Sequence, residues 1–278
     1  MKQFNDRFPT SDACLEELKQ LRFADFACPN CDSSKLYKVK GRSMYASPCG
    51  FQVAPLSGTI FHKSSTDLRT WFLTIFLMTT TRSGVSAKTV ERMTGVTYKT
   101  AWRMCNQIRT LMQDGGDLLT GVVEVDETYF QANPRKDSRL PKGKRTGEAG
   151  IVLGMAEVGG RVRVRRVPNS GLGMLDHVYE NVSKSAIIHT DGWLAYKKLP
   201  KMGYTHAVVD HSIGQHVVDG VGTQNIDGFW NNLKRGVYGV YRHCEPKYLE
   251  SYANEYAWRY SNCNSGVPMF ELLLSKVA

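Results

Sequence analysis

From about residue 120 onward, short apolar segments with the two-residue period of β-strands alternate with segments that have a helical period. Two strands are predicted first, and Gly159-Gly160 predicts the turn that leads from the second strand into a third. Strands that then alternate with a helix predict an α/β domain, in which helices cover a mixed sheet. The segments are, in order, residues 122–125, 151–156, 162–167, the helix 174–182, and the strands 186–189 and 207–209.

The balance of charge favours a polyanionic partner. The chain has 36 Lys and Arg against 26 Asp and Glu, a formal net charge of +10 at pH 7. Such an excess is typical of proteins that bind nucleic acid, although a solvated basic surface gives the same total. The apolar runs fall short of the roughly 18 residues that cross a membrane, and the first residues lack a signal-peptide core. We therefore expect a cytoplasmic, nucleoid-associated protein with no membrane partner.

Three cysteines near the start of the chain have the spacing of a metal site. The two-residue gap in Cys28-Pro-Asn-Cys31 lets both thiolates face one tetrahedral ion, and Cys49 stands where a second pair is expected. Ala46 occupies the place of the fourth cysteine. We predict a zinc-ribbon-like module over residues 1–65. Its Zn²⁺ site is either completed by His62 or water, or has been lost.

Residues 86–103, within a predicted helical region over 66–115, have the pattern of a helix-turn-helix. Ser86 and Thr97 are candidate N-caps, and Gly95 marks the turn between the two helices. The N-terminal end of a recognition helix meets base edges in the major groove, and here it would present Tyr98, Lys99, Thr100 and Arg103. A plain helical hairpin has the same pattern. The basic charge of the chain favours DNA binding over that alternative.

Further DNA contacts are expected from a basic loop and from one later arginine. The loop lies between the first two strands of the α/β domain, and its composition is that of an exposed connection. These candidate DNA-binding residues are Arg135, Lys136, Lys142, Lys144, Arg145 and, on a C-terminal helix, Arg235.

Acidic residues also stand at places where catalytic groups collect. Asp126 lies within a hydrophobic strand, where a buried carboxylate is costly unless a cation or hydrogen bonds compensate it. Strand alternation puts Glu124 on the face of Asp126 and Glu127 on the other face, so we expect one ligand among the three acids. Asp191 follows an apolar strand at its carboxyl end, although an Asp-Gly pair there is commonly just a turn.

A third acid is predicted on a helix. Asp227, Asn231 and Lys234 fall on neighbouring turns of one helical side, which suits a metal ion and a phosphate together, although a simple amphipathic surface helix has the same pattern. Carboxylates are the hard ligands that Mg²⁺ prefers. Two such ions can activate a water or a 3′ hydroxyl and stabilise the leaving oxygen of a phosphodiester. The predicted chemistry is therefore two-metal phosphoryl transfer on DNA.

Six motifs together resemble the zinc-ribbon DDE-type insertion-sequence transposases, which are related to the Merlin elements. They are Cys-Pro-Asn-Cys (28–31), Ser-Gly-Thr-Ile-Phe-His (57–62), Val-Glu-Val-Asp-Glu-Thr-Tyr (123–129), His-Thr-Asp-Gly-Trp (189–193), Ile-Asp-Gly-Phe-Trp-Asn-Asn-Leu-Lys-Arg-Gly (226–236) and Asn-Glu-Tyr-Ala-Trp-Arg-Tyr (254–260). The resemblance implies a ribonuclease-H-like catalytic domain over residues 116–278. It also implies Mg²⁺ dependence, recognition of the terminal inverted repeats of an insertion sequence, and strand cleavage and transfer into target DNA.

Carried over by position, Asp126 and Asp191 resemble the first two catalytic acids of this family and Lys234 its trailing basic residue. Asp227 resembles the third acid, where relatives more often have the longer Glu, and an Asn ligand in some relatives keeps Asn225 and Asn231 as alternatives. Bringing two element ends together implies at least a homodimer on DNA. The alternatives are a nuclease or resolvase of the same fold that cuts without joining, a non-catalytic DNA-binding regulator, a decayed transposase copy and, as a weaker option, a zinc-ribbon interaction module.

Overall fold

A computed structural model describes residues 1–81, 83–130, 150–168, 171–209, 217–218, 221–242 and 244–277. The chain divides into two compact units. Unit 1 comprises Met1–Leu111 and Gly266–Ala278, and unit 2 comprises Met112–Ser265. Within the described ranges, no helix combines the length and the apolar character that crossing a membrane requires.

Unit 1 is built from helices and a small sheet. Side chains of Thr10, Asp67 and Ser86 accept hydrogen bonds from backbone N–H groups at the starts of three of these helices, as N-caps do. Strands β1, β2 and β3 form an antiparallel sheet in that order. The elements are α1 (Lys2–Arg7), α2 (Ser11–Arg22), β1 (Tyr37–Lys38), β2 (Tyr45–Ala46), β3 (Gln52–Val53), α3 (Leu68–Thr80), α4 (Ala87–Thr94) and α5 (Tyr98–Leu111).

Two features of unit 1 differ from the sequence analysis. Helices α1 and α2 lie within residues 1–65 and were not predicted, and Leu15 and Leu18 share one buried side of α2. The last helix, α9 (Met269–Ser275), belongs to unit 1 and not to the α/β unit with which residues 116–278 were grouped. Its Phe270 ring lies 5.9 Å from Phe8 and 5.7 Å from Phe76, so an aromatic cluster accounts for this placement.

Helices α4 and α5 occupy the segment predicted as a helix-turn-helix. Gly95 ends α4 with a left-handed φ of 75°, a conformation that costs glycine little. The Ser86 hydroxyl accepts the backbone N–H of Thr89 at 3.1 Å, and the Thr97 hydroxyl accepts that of Thr100 at 3.4 Å. The caps and the turn therefore stand at the predicted residues, while the helix-turn-helix motif and the reading of DNA by α5 stay predictions.

Unit 2 contains a mixed five-stranded sheet in the order β6-β5-β4-β7-β8. Strands β4, β5 and β6 are antiparallel neighbours, whereas β4 pairs with β7, and β7 with β8, in parallel. The predicted mixed α/β architecture is confirmed. The elements are β4 (Val122–Phe130), β5 (Gly150–Glu157), β6 (Val162–Val167), α6 (Met174–Asn181), β7 (Ile187–Asp191), β8 (Thr205–Val209), β9 (Val217–Val218), β10 (Val221–Gly222), α7 (Gln224–Gly236) and α8 (Pro246–Asn262).

The two faces of this sheet carry separate hydrophobic cores. On one face Val123 and Val125 of β4 pack in a cluster with Leu175 and Val178 of α6. On the other face Val152 of β5 packs in a cluster with residues of α7 and α8. Alternation along β4 therefore directs its odd-numbered residues towards α6, and Glu124 and Asp126 towards α7. This arrangement determines which acidic side chains can meet helix α7.

Candidate active site

Asp126 and Asp191 lie on neighbouring parallel strands. The register pairs Glu124 with His189, and each aspartate follows two residues further along its strand. Burial, and to a lesser degree the charges of Glu127 and Asp191, raise the pKa of Asp126 to about 7 against an opposing hydrogen bond from Trp230. The sheet thus brings the first two predicted acids together, because the carboxyl ends of neighbouring parallel strands lie at the same edge of a sheet.

Helix α7 is hydrogen-bonded to strand β4 at two places. The indole Nε1 of Trp230 donates to Asp126 Oδ2 at 2.8 Å. Glu124, only 3% exposed, accepts Asn225 Nδ2 at 2.7 Å with Oε1 and the backbone N–H of Ile226 at 2.9 Å with Oε2. A carboxylate at a helix N-terminus satisfies orphan N–H groups and complements the helix dipole. Glu124 therefore acts as a structural clamp between β4 and α7.

On the opposite face of β4, Glu127 adds a third carboxylate beside the pair. Its Oε2 accepts the hydroxyl of buried Tyr196 at 2.7 Å. Burial first, and then the charge of Asp191, raise the pKa of Glu127. Asp191 itself accepts the backbone N–H of Trp193 at 3.0 Å, so it also holds the turn after β7. The turn interpretation of the Asp-Gly pair is thus observed, and the catalytic role of Asp191 stays a prediction.

The polar side of α7 faces outward. Asp227 is exposed and accepts the Thr223 hydroxyl at 3.2 Å, Asn231 is exposed, and Lys234 is half-buried. Within the described residues, no hydrogen bond or ion pair joins Asp227 to Asp126 or Asp191. The predicted third acid therefore lies on the helix that contacts Asp126, without direct contact to the first two acids. Its role stays a prediction.

The donor set suits a hard divalent cation. Asp126 and Asp191 offer carboxylate oxygens, while Glu127 lies on the other face of β4. Burial is the main cause of the raised pKa values of Asp126 and Glu127, and repulsion from the neighbouring carboxylates adds to it. A bound cation would reverse that repulsion and favour the ionised carboxylates. Within the described residues, three candidate donor atoms come within 4.8 Å of one another at Cys28, Cys31 and Cys49, and not at the carboxylates. Asp126 and Asp191 therefore offer two of the oxygen ligands that Mg²⁺ would take.

A close approach between sheet and helix makes Gly154 sensitive to substitution. Gly154 lies opposite Asp126 in the β4–β5 register, and a Cβ there would lie 2.6 Å from Trp230 Cη2 and 2.7 Å from Ile226 Cδ1. We expect Gly154→Ala to lower the free energy of unfolding by about 1–3 kcal/mol, because the buried indole cannot move aside freely. Urea denaturation of the full chain measures this change.

The matched control for that prediction is Gly228→Ala. Gly228 lies within α7, and a Cβ there would meet no heavy atom within 4 Å. Alanine in an open helical position is expected to raise the free energy of unfolding by about 0.5–1 kcal/mol. Equal effects of the two substitutions would contradict the close packing at Gly154.

The three N-terminal cysteines form a cluster in unit 1. Their sulfur atoms all lie within 4.8 Å of one another. Burial opposes ionisation of Cys28, but hydrogen bonds from Ser47 and the backbone N–H groups of Asn30 and Cys31 outweigh it and lower the pKa of that thiol to about 6. Ala46 lies in β2, and His62 Nδ1 accepts the backbone N–H of Gly58 at 3.4 Å. Ser47, which the sequence analysis did not single out, contacts two of the sulfurs.

The candidate DNA-binding residues fall into two groups. In the described part, Tyr98, Lys99 and Arg103 are exposed near the start of α5, and the Thr100 hydroxyl lies 3.1 Å from that of Thr97. Arg235 is exposed on α7. The candidate residues of the basic loop lie outside the described part of the chain. They are Arg135, Lys136, Lys142, Lys144 and Arg145.

Comparison with known proteins identifies the family. Residues 118–261, more than half of the chain, match the model of the ISXO2-like transposase domain. This match defines a transposase, an enzyme of the nuclease and transferase type that acts on DNA. The chain belongs to the IS1595 family of transposases. It is also 25% identical, over 232 residues, to an uncharacterized protein in transposable element ISH50 of Halobacterium salinarum, covering 72% of this chain and 74% of that protein.

Solved structures give more distant likenesses. A chain of the simian T-cell lymphotropic virus intasome in complex with PP2A regulatory subunit B56 gamma matches with a TM-score of 0.33 and 12% identity. That match covers 61% of this chain and 63% of the intasome chain, less than two thirds of its length. The Mos1 strand transfer complex matches with a TM-score of 0.25 and 10% identity, over 70% of this chain and 77% of that one.

Proposed function

We propose that this transposase binds the terminal inverted repeats of an insertion sequence and performs Mg²⁺-dependent strand cleavage and strand transfer. The observation that carries the proposal is the pair Asp126 and Asp191 on adjoining parallel strands, within the domain that matches the family. In this proposal residues 116–265 supply a ribonuclease-H-like DDE catalytic domain, since Gly266–Ala278 belongs to unit 1. Residues 1–65 form a zinc-ribbon-like module, and residues 66–115 form a helix-turn-helix that binds DNA.

The proposed metal ligands are Asp126, Asp191 and Asp227. Two bound Mg²⁺ ions would supply charge neutralisation at the scissile phosphate and lower the pKa of an attacking water or 3′ hydroxyl. Three hydrogen bonds between β4 and α7 support Asp227 as the third ligand. Glu124 accepts hydrogen bonds from residues 225 and 226 of α7, and Asp126 accepts one from Trp230. Asp227 therefore lies between two positions at which α7 is hydrogen-bonded to β4. Asn225 is engaged by Glu124, which favours Asp227 over Asn225 as the third ligand.

The remaining polar groups have positioning and phosphate-binding roles in this proposal. The Trp230 N–H holds one oxygen of Asp126, which orients the other oxygen. The Tyr196 hydroxyl does the same for Glu127. Asn231, Lys234 and Arg235 lie on the turns of α7 that follow Asp227 and would contact backbone phosphates.

The DNA partners in this proposal are double-stranded element ends and target DNA. Tyr98, Lys99, Thr100 and Arg103 at the start of α5 would enter the major groove of the terminal repeat. The basic loop would hold backbone phosphates through Arg135, Lys136, Lys142, Lys144 and Arg145. Synapsis of two ends requires at least a dimer of the chain.

A strand-transfer assay tests the proposal directly. The full chain is incubated with Mg²⁺, a labelled terminal-repeat duplex and target DNA, beside Asp126→Asn and Asp191→Asn. We expect each variant to reduce joined product by at least about 100-fold, because an amide replaces an anionic metal ligand. Binding of the duplex, measured by gel shift, is expected to stay within a few-fold of the unmodified chain.

The control variant is Asp176→Asn. Asp176 is exposed in the first turn of α6, and α6 packs on the sheet face opposite α7. It is expected to keep full strand transfer. Repeat binding that persists without cut or joined product in any metal would instead favour a regulator or a decayed copy. Cutting without joining would favour a nuclease.

A further inference from the structure

The Ser47 hydroxyl lies against the N-terminal cysteine cluster. Its Oγ is 3.2 Å from Cys28 Sγ and 3.1 Å from Cys49 Sγ, and these two sulfurs are 3.5 Å apart. Cys31 Sγ completes a group of three sulfurs within 4.8 Å of one another. Ser47 is buried, with 4% exposure, so its hydroxyl belongs to this cluster and not to solvent.

The backbone explains why Ser47, and not Ala46, reaches the sulfurs. In the first turn the Cys28 N–H donates to Ser33 O at 3.0 Å, and the Cys28 carbonyl accepts Asp32 N–H at 2.8 Å. Asp32 has a left-handed φ of 54° and directly follows Cys31.

The second turn repeats this pattern with Ser47 in the place of Cys28. The Ser47 N–H donates to Phe51 O at 2.8 Å, and the Ser47 carbonyl accepts Gly50 N–H at 2.9 Å. Gly50 has a left-handed φ of 88° and directly follows Cys49. This turn is one residue shorter, so the residue that opens it stands two places before the cysteine instead of three. The backbone equivalent of Cys28 is therefore Ser47.

We propose that Cys28, Cys31, Cys49 and the Ser47 hydroxyl form a tetrahedral site for a Zn²⁺-class divalent ion. Around such an ion, with Zn–S of about 2.3 Å, neighbouring donor atoms lie about 3.5–3.8 Å apart, which these side chains reach with small adjustments. Three thiolates instead of four leave the site with one negative charge less. The new element is Ser47 as the fourth ligand, which rests on the proposed zinc-ribbon-like module, while its measurements do not depend on strand transfer.

Co²⁺ substitution of the purified full chain tests the fourth ligand. The intensity of thiolate-to-Co²⁺ charge transfer counts the bound sulfurs, and the unmodified chain is expected to give a tetrahedral, three-thiolate spectrum. We expect Ser47→Cys to raise this intensity by about one third, since it places a fourth thiolate at the site. Ser33→Cys is the matched control, because the Ser33 hydroxyl instead accepts the Lys35 N–H at 3.2 Å. The control is expected to leave the intensity unchanged.

Zn²⁺ affinity gives an independent measurement that does not require a new cysteine. Competition with a chromogenic chelator is expected to show about 10- to 100-fold weaker binding for Ser47→Ala. A chain that takes up neither Zn²⁺ nor Co²⁺ stoichiometrically would overturn the site. A Ser47→Cys spectrum equal to that of Ser33→Cys would overturn the role of Ser47. A fourth thiolate gained in Ala46→Cys but not in Ser47→Cys would assign the fourth ligand position to residue 46. That result would also overturn the role of Ser47.

Discussion

In the absence of a divalent cation, the contribution of Asp126 to the free energy of unfolding is expected to fall as the pH rises from about 4 to about 7. The cause is Asp126, whose pKa is raised by burial and by neighbouring carboxylates to about 7, against about 3.9 in an unfolded chain. Between these two values the folded chain holds a proton that the unfolded chain has released. Stability from this group is thus fully present below the unfolded pKa and is lost as the pH rises through the folded pKa. The loss amounts to at most about 4 kcal/mol.

Denaturation of the chain and of Asp126→Asn at several pH values measures this effect. Asparagine stays neutral, so the difference in the free energy of unfolding between the variant and the unmodified chain is expected to change across this pH range, and the variant is expected to be the more stable protein at pH 8 without metal. Added Mg²⁺ is expected to stabilise the unmodified chain at that pH far more than the variant. Glu127→Gln should give a difference that changes with pH in the same sense, because the pKa of Glu127 is shifted in the same direction. A difference that stays constant with pH for both variants would contradict the site's electrostatics.

Replacing Glu124 by alanine is expected to lower the free energy of unfolding by roughly 2–4 kcal/mol. The substitution removes a buried carboxylate that accepts hydrogen bonds from the Asn225 side chain and the Ile226 N–H. Both donors would then lose their partners at the start of α7. Urea denaturation measures the loss. Hydrogen exchange locates it, because amide exchange in the first turns of α7 should increase more than in α8.

Glu180→Ala is the matched control for Glu124→Ala. Glu180 lies on α6 with 63% of its side chain exposed, and its carboxylate lies 3.4 Å from Nδ1 of half-buried His177. Such surface pairs contribute little, so a change of at most about 0.5 kcal/mol is expected. If Glu124→Ala were as mild as this control, Glu124 would not be the clamp between β4 and α7.

Local sequence patterns predicted much of the sheet. Strands β4 to β8 and helix α6 lie where the apolar periods indicated, because each has one or two buried faces that fix its side-chain period. The order of the strands is a different matter. It depends on pairings between distant residues, such as the parallel register of β4 with β7, which no local period encodes.

The candidate site was predictable only in part. A carboxylate within an apolar strand marks Asp126, and the end of a buried strand marks Asp191. No sequence pattern indicated the hydrogen-bond donors of this region, because Tyr196 and Trp230 have the pattern of ordinary core residues. Only the fold brings the Tyr196 hydroxyl to Glu127 and the Trp230 N–H to Asp126. Glu124 illustrates the same limit. Strand alternation placed it on the face of Asp126, but its function as a clamp depends on a helix about 100 residues further along the chain.

The last helix of the chain has a consequence for shortened gene products. Helix α9 belongs to unit 1, where Phe270 packs among aromatic rings of the first helices and Glu271 forms an ion pair with Arg7. A stop codon just before Gly266 would leave both α4 and α5 encoded, yet it would remove part of the core that supports their unit. A product shortened in this way would therefore be less stable in the unit that holds α4 and α5, because segments before residue 112 and after residue 265 pack together in that unit.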